Sequence, residues 1–220
     1  MIIVSDLHIG HKQSALQAMW KLVSEYANED FIIVGDFYEG YLKHPDKISK
    51  EHHHLISAIL YRAKVYVVGN HDSFMKNLVE VNFGHVKIAY PYYRIEVDGK
   101  KWIITHGHLL GRFGWIFKFL DYLDDIRGFP TLANFVASLP IFSSVRRLDK
   151  KFNKLEEKAL EFAWKNDADV VVCGHNHIQA VNKYGRYIYV NPGSALGDLE
   201  YIYYKDGKFY AKKILERRKR

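Results

Sequence analysis

Short apolar runs, each closed by a polar cluster, recur along the chain. They are Ile2 to Val4 before Ser5-Asp6, Phe31 to Val34 before Gly35-Asp36, Val65 to Val68 before Gly69-Asn70, Trp102 to Ile104 before Thr105-His106, and Val170 to Cys173 before Gly174-His175. A run this short and this uniformly apolar fits a strand covered on both faces, and the glycine after most of them permits a tight exit from the sheet. Polar side chains just past such strands collect along one rim. Between the first two runs, Ser14 to Asn28 places Leu16, Met19, Trp20 and Val23 at helical spacing behind Ser14 as N-cap, so the chain opens β-α-β. Lys50 to Ala63 predicts a second helix. Tyr92 to Val97 and Lys100 to Ile104 flank Asp98-Gly99 as a hairpin; Tyr187 to Val190, Leu199 to Lys205 and, past Asp206-Gly207, Lys208 to Lys213 predict further antiparallel strands. Parallel strands linked by helices and mixed with hairpins predict an α/β fold, a four-layer α/β/β/α sandwich of two mixed sheets.

One stretch breaks the rhythm. From Gly111 to about Asn153 there is no strand signal, only helical patterns rich in aromatics (Phe113, Trp115, Phe117, Phe119, Tyr122) interrupted by Gly128-Phe129-Pro130 and by Pro140. It predicts a helical insertion of two or three segments directly after the Thr105-His106-Gly107-His108 loop. At 220 residues the whole is expected to form a single domain, 1–220, carrying that insertion at about 111–153.

Composition narrows the class. A 48% hydrophobic and 26% charged chain is globular, and Cys173, the only cysteine, excludes an internal disulfide framework and fits a reducing compartment. No secretory leader pattern opens the sequence and no apolar stretch approaches a membrane span, so the expected setting is cytoplasmic. The formal charge of +7, partly in Lys212-Lys213 and Arg217-Arg218-Lys219-Arg220, favours anionic partners. A basic tail alone reads first as a solvated terminus.

The chemistry lies in the polar clusters. Taken singly, Asp6-x-His8, Gly35-Asp36 and Gly69-Asn70-His71-Asp72 are ordinary turn or capping patterns. His106-Gly107-His108 and His175-Asn176-His177 are less ordinary, because each is an i, i+2 histidine pair at the end of an apolar strand. Five successive strand ends presenting Asp, Asn or His supply the mixture of hard oxygen and imidazole donors that divalent cations take. Cysteine has no place in that set, and Cys173 is expected only to pack. His52-His53-His54 lies in a helix, where neighbouring side chains diverge, and is read as solvated.

These motifs resemble those of the calcineurin-like metallophosphoesterase superfamily, ordered as Asp-x-His, Gly-Asp-x-x-Asp, Gly-Asn-His-Asp/Glu, His and Gly-His-x-His, and the match runs from Asp6 to His177. The resemblance implies a first metal held by Asp6, His8, Asp36 and His177 and a second held by Asp36, Asn70, His106 and His175, with Asp36 as bridge. Two divalent ions per chain follow, Mn²⁺ first, with Fe²⁺, Zn²⁺, Co²⁺ and Ni²⁺ also compatible with the donors. It implies a phosphoester hydrolase in which hydroxide held between the metals attacks phosphorus in line, His71 faces the substrate as a catalytic group, and Asp72 orients the His71 imidazole or supports its protonated form. Glu39 stands where the family has a second Asp and reads as a supporting group or a surface acid. His108 and Arg112 are substrate-binding candidates, with a supporting hydrogen bond to a ligand the equal alternative for His108.

The insertion partly resembles the helical cap of the UDP-2,3-diacylglucosamine pyrophosphatase branch, in which lipid-linked chains bind. That branch carries Arg at the position of His71 and Asp at that of His108, so the core here follows the general phosphodiesterase pattern. A phosphoester small molecule is the expected substrate. A nucleotide-sugar or lipid pyrophosphatase and a nuclease or cyclic-nucleotide phosphodiesterase are the enzymatic alternatives, and a metal-binding scaffold protein is the alternative outside enzymes. Nucleic acid has no basic-aromatic stripe to receive it. The insertion leaves open lipid or peripheral membrane contact and a homodimer interface.

Overall fold

The apolar runs become the centres of two sheets. In the computed structural model, which describes residues 1–40, 45–79, 81, 84–111 and 154–216, the strands are β1 (Ile2–Val4), β2 (Phe31–Val34), β3 (Ala63–Val67), β4 (Lys87–Ala89), β5 (Tyr92–Val97), β6 (Lys100–Thr105), β7 (Val170–Cys173), β8 (Ala180–Tyr184), β9 (Tyr187–Asn191), β10 (Leu199–Lys205) and β11 (Lys208–Ile214). The helices are α1 (Leu16–Glu25), α2 (Pro45–Leu60), kinked at His52, and α3 (Leu155–Lys165); a 3₁₀ helix covers Ser73–Leu78. The first sheet runs β11-β10-β1-β2-β3-β4, with β1 to β4 parallel and β10 and β11 antiparallel. The second runs β5-β6-β7-β9-β8, with β6, β7 and β9 parallel.

Alternate residues of each run face opposite ways, and both ways are covered, which is why the runs carry no polar positions. Ile3, Ile32, Val34, Val65 and Val67 meet Trp102, Ile104, Val170 and Val172 between the sheets. Ile2, Val4 and Ile33 pack outward on Met19, Leu22, Leu55 and Ile59 of α1 and α2. Ile103, Val171 and Tyr189 pack outward on Leu155, Ala159 and Ala163, a stripe of α3 at four-residue spacing. The expected four-layer α/β/β/α sandwich is therefore the observed one. The predicted insertion, Gly111 apart, lies outside the described residues. Among the described residues no helix is long and apolar enough to cross a membrane.

Helix α1 corrects one expectation. It starts at Leu16, and Ser14 does not cap it: Ser14 Oγ donates to the Leu7 carbonyl at 2.9 Å. The open N–H groups of Gln17 and Ala18 donate instead to the two carboxylate oxygens of Glu216, at 3.2 and 2.7 Å, so the far end of the chain caps its first helix with an anion at the positive end of the helix dipole. Glu216→Ala should cost about 1 kcal/mol, as cap deletions do, and lower the melting temperature by roughly 2–4 °C for a domain of this size. An unchanged melting curve would mean that water serves those donors equally well.

Candidate metal centre

The five polar clusters leave the C-terminal ends of β1, β2, β3, β6 and β7, and the two sheets bring those ends to one rim. The loops after β1 and β2 continue side by side beyond the sheet: Asp6 N–H donates to Gly35 O at 3.0 Å, His8 N–H to Asp36 O at 2.9 Å and Glu39 N–H to Ile9 O at 3.0 Å. The second sheet is tied to the first by His106 Nδ1 donating to Val34 O at 2.9 Å and by His175 N–H donating to Asp6 Oδ2 at 3.0 Å. Two glycines let the loops approach this closely. A Cβ on Gly69 would lie 2.2 Å from Asp36 Oδ1, and one on Gly174 would lie 1.9 Å from Ser5 Oγ.

Asp6, His8, Asp36, His175 and His177 all adopt positive φ, between 46° and 72°. Among the described residues, the other non-glycine residues in that region are the turn aspartates Asp98, Asp167 and Asp206. Left-handed backbone at a residue other than glycine costs about 1–3 kcal/mol, so its concentration on these five is a sign of a site whose geometry is imposed. The strain turns their side chains inward, into three overlapping groups of potential ligand atoms: Asp6, His8 and His177; His8, Asp36 and His71; Asp36, His106 and His175.

Which nitrogen each imidazole offers is set by its other one. His106 Nδ1–H is held by the Val34 carbonyl, which makes Nε2, 3.2 Å from Asp36 Oδ2, the atom that takes up either a second proton or a cation. Glu39 does the same for two rings at once: its Oε2 lies 3.1 Å from His8 Nδ1 and its Oε1 lies 2.7 Å from His71 Nδ1. With those protons held by Glu39, both Nε2 atoms face the pocket, each 4.0 Å from Asp36 Oδ2. Glu39 is 3% exposed and is no surface acid; its two imidazole partners outweigh the effect of burial and bring its pKa to about 2.

The expected role of Asp72 does not hold. Its carboxylate is buried and turned away from His71, accepting from Gly69 N–H at 2.6 Å, from Phe37 N–H at 2.8 Å and from the Tyr66 hydroxyl. Burial, then the Asp36 charge, raises its pKa to about 6. Asp72 therefore shapes the Gly69–His71 loop, and the acid that orients His71 is Glu39. Ser5 also supports the site: its hydroxyl donates to Val34 O at 2.7 Å and contacts Asp6 Oδ2, and the available sequence signal was a polar residue between an apolar run and a candidate ligand aspartate.

The electrostatics ask for positive charge. Asp6, Asp36 and Glu39 are all buried, and among the described residues their ion-pair partners are histidines. Burial alone would push the carboxyls of Asp6 and Asp36 up, but His177 and His106 around the first, and His106 and His71 around the second, hold both well below the usual range. Burial opposes a charge on His106, yet the Asp36 carboxylate raises that imidazole to about 10. His8 is raised as well, by Glu39 and Asp36 against burial, whereas burial lowers His71 and His108. A proton on His106 thus answers a field that a bound cation would answer better. The donor atoms fit this. Asp6 Oδ1, His8 Nε2, Asn70 Oδ1 and His106 Nε2 are buried without an aligned hydrogen bond, although His177 Nε2 comes within 3.0 Å of Asp6 Oδ1. Buried polar atoms left over after the protein's own bonds are made are the expected state of metal ligands.

His108 is buried beside the rings of His106, His175 and Tyr90, with centroids 5.4, 6.3 and 6.2 Å away. It adjoins the pocket behind the expected ligands. Arg112 lies outside the described residues. His52, His53 and His54 sit on α2, in none of the ligand groups.

The profile of the calcineurin-like phosphoesterase superfamily domain matches residues 1–203. No curated protein matches the chain. Among solved structures, Yfce, a phosphoesterase from E. coli, superposes with a TM-score of 0.52 at 16% identity, over 98% of each chain. A novel archaeal phosphodiesterase reaches 0.50 at 20% identity, over 97% of this chain and 98% of that one. Vps29 of Chaetomium thermophilum reaches 0.50 at 14% identity, over 97% and 95%. At these identities the likeness establishes the fold.

Proposed function

The chain belongs to the calcineurin-like phosphoesterase superfamily, and from that premise we propose that it is a hydrolase of phosphodiesters or phosphomonoesters dependent on two divalent cations. Asp6, His8, Asp36 and His177 would hold one ion, and Asp36, Asn70, His106 and His175 the other, with Asp36 common to both. The observation that carries this reading is the convergence of Asp, Asn and His side chains from five strand ends on one rim, where Asp6 Oδ1, His8 Nε2, Asn70 Oδ1 and His106 Nε2 are buried without an aligned hydrogen bond. A scaffold that bound no metal would have no use for these donors or for the left-handed backbone that aims them, and turnover in the assay below separates a metal-binding scaffold from an enzyme. Such a cation pair supplies Lewis acidity to the phosphoryl oxygens and a water of lowered pKa for in-line attack. Mn²⁺ is the first candidate, and the same donors take Fe²⁺, Zn²⁺, Co²⁺ or Ni²⁺.

The chain's own part is to bind, orient and move a proton. In neutral His71 the proton sits on Nδ1, against Glu39, so Nε2 can only accept. Burial lowers the His71 pKa, and the Asp36 and Glu39 charges oppose that shift; a second proton taken up on Nε2 makes that atom a donor toward the departing oxygen. Metal analysis of the purified protein, followed by assay on monoesters, diesters, cyclic nucleotides, nucleotide pyrophosphates and nucleic acids, tests the function directly. Activity against none of them in the presence of Mn²⁺ would refute it. His71→Ala should lower kcat by about 10²-fold or more, the usual worth of a general acid, while two ions per chain remain bound. Equal loss of metal and rate would place His71 among the ligands.

A further inference from the structure

Asn191, the last residue of β9, is fully buried, and its carboxamide grips the turn that carries the two late histidines. Nδ2 donates to Asn176 Oδ1 at 2.8 Å and has the Gly174 carbonyl and the Tyr189 hydroxyl each at 3.2 Å, while Oδ1 accepts from Gly193 N–H at 2.9 Å. The turn is thus held at the residue before His175 and at the residue between His175 and His177. It needs holding, because both histidines adopt positive φ, 72° and 60°, which local preference does not sustain. Asp6 Oδ2 pins the front of the turn through His175 N–H, and Asn191 pins it from behind.

This one turn serves both ends of the pocket: His175 falls in the group with Asp36 and His106, and His177 in the group with Asp6 and His8. We infer that Asn191 is a positioning residue for the whole metal centre, setting the affinity of both cations together while belonging to neither ligand set. The inference rests on the two-cation reading above, and it gives a signature that ligand loss does not share. Removing a ligand such as His175 weakens one ion, whereas loosening the turn weakens both. Partners that orient metal ligands from behind typically matter by about 10–100-fold in metal affinity.

The test is Asn191→Asp, which keeps the shape and the acceptor for Gly193 N–H but removes both donor hydrogens and sets a carboxylate against Gly174 O and Asn176 Oδ1. Chelated wild-type and variant proteins are titrated with Mn²⁺ by calorimetry, and the melting temperatures of the chelated forms are compared. The expected result is a parallel loss of tenfold or more in affinity for both ions, with the chelated forms melting within a few degrees of each other and His175→Ala weakening one ion alone. Two ions bound at wild-type affinity, or a loss confined to one, would overturn it. Should Asn191→Asp fail to fold, Asn176→Ala removes the acceptor from the same bond at the more accessible end, and a loss of about threefold or more for both ions is expected there. A wild-type chain that binds no pair of ions sinks the metal-centre reading itself; wild-type binding with unchanged variants sinks only the role of Asn191.

Discussion

Asp36→Asn is expected to fold normally, to retain less than one ion per chain, and to lose about 10³-fold or more in kcat/KM, roughly 4 kcal/mol of transition-state stabilisation. Asparagine can keep what Asp36 does for the loop, since Oδ1 still accepts the His71 N–H at 2.8 Å. It cannot keep what Oδ2 does. That oxygen lies 3.2 Å from His106 Nε2 and 4.0 Å from Nε2 of both His8 and His71, so it stands where two ligand groups meet. Substitution removes one of the negative charges that would neutralise a cation pair and, in one amide orientation, turns a donor N–H₂ toward it. Far-UV circular dichroism and metal analysis check the two halves of the expectation. A well-folded Asp36→Asn protein holding two ions at wild-type affinity would remove Asp36 from the bridge.

How much of this was legible in the sequence follows from the kind of signal each part leaves. The central strands were readable because they are covered on both faces and carry unbroken apolar runs. The candidate ligands were readable because five such runs end in Asp, Asn or His, and that repetition survives without any knowledge of contacts. β4 and β8 left no comparable trace, being three residues with an exposed Lys87 and an edge strand of mixed Asn182, Lys183 and Tyr184. The direction of Asp72 was illegible because adjacency in sequence says nothing about facing; backbone donors from two loops and the Tyr66 hydroxyl of β3 draw it away from His71. The double role of Glu39 depends on the loops after β1 and β2 running together beyond the sheet, a tertiary fact that brings residues 8, 39 and 71 to one point. The cap of α1 comes from a residue nearly the whole chain away.

Removing the cations should destabilise the protein, and more so as pH rises. Ligand at about 1,000 times its Kd adds roughly 4.1 kcal/mol, and in a domain of this size each kcal/mol moves the melting temperature by about 2–4 °C, so chelation should lower it by roughly 8–16 °C for each ion bound that tightly. In the chelated protein the remaining positive charge at the centre is protonic. Burial disfavours it, but Asp36, and after it Asp6, raise His106 from 6.5 to about 10. A folded-state pKa above the unfolded value stabilises fully below 6.5 and loses that stabilisation as pH climbs toward 10. The depressed carboxyls of Asp36 and Asp6 report the same pairings from the other side, and the stabilisation they contribute is lost only in acid, as pH falls below the usual carboxylate range. The chelated protein should therefore melt progressively lower from pH 6.5 to 9. The loaded protein should not follow it, because a cation at His106 Nε2 takes the place of the proton, and Mn²⁺ affinity should rise over the same interval as fewer protons have to be displaced. Melting curves with and without chelator at several pH values decide the matter: a gap that stays constant or narrows across that interval would mean that His106 Nε2 does not face a cation.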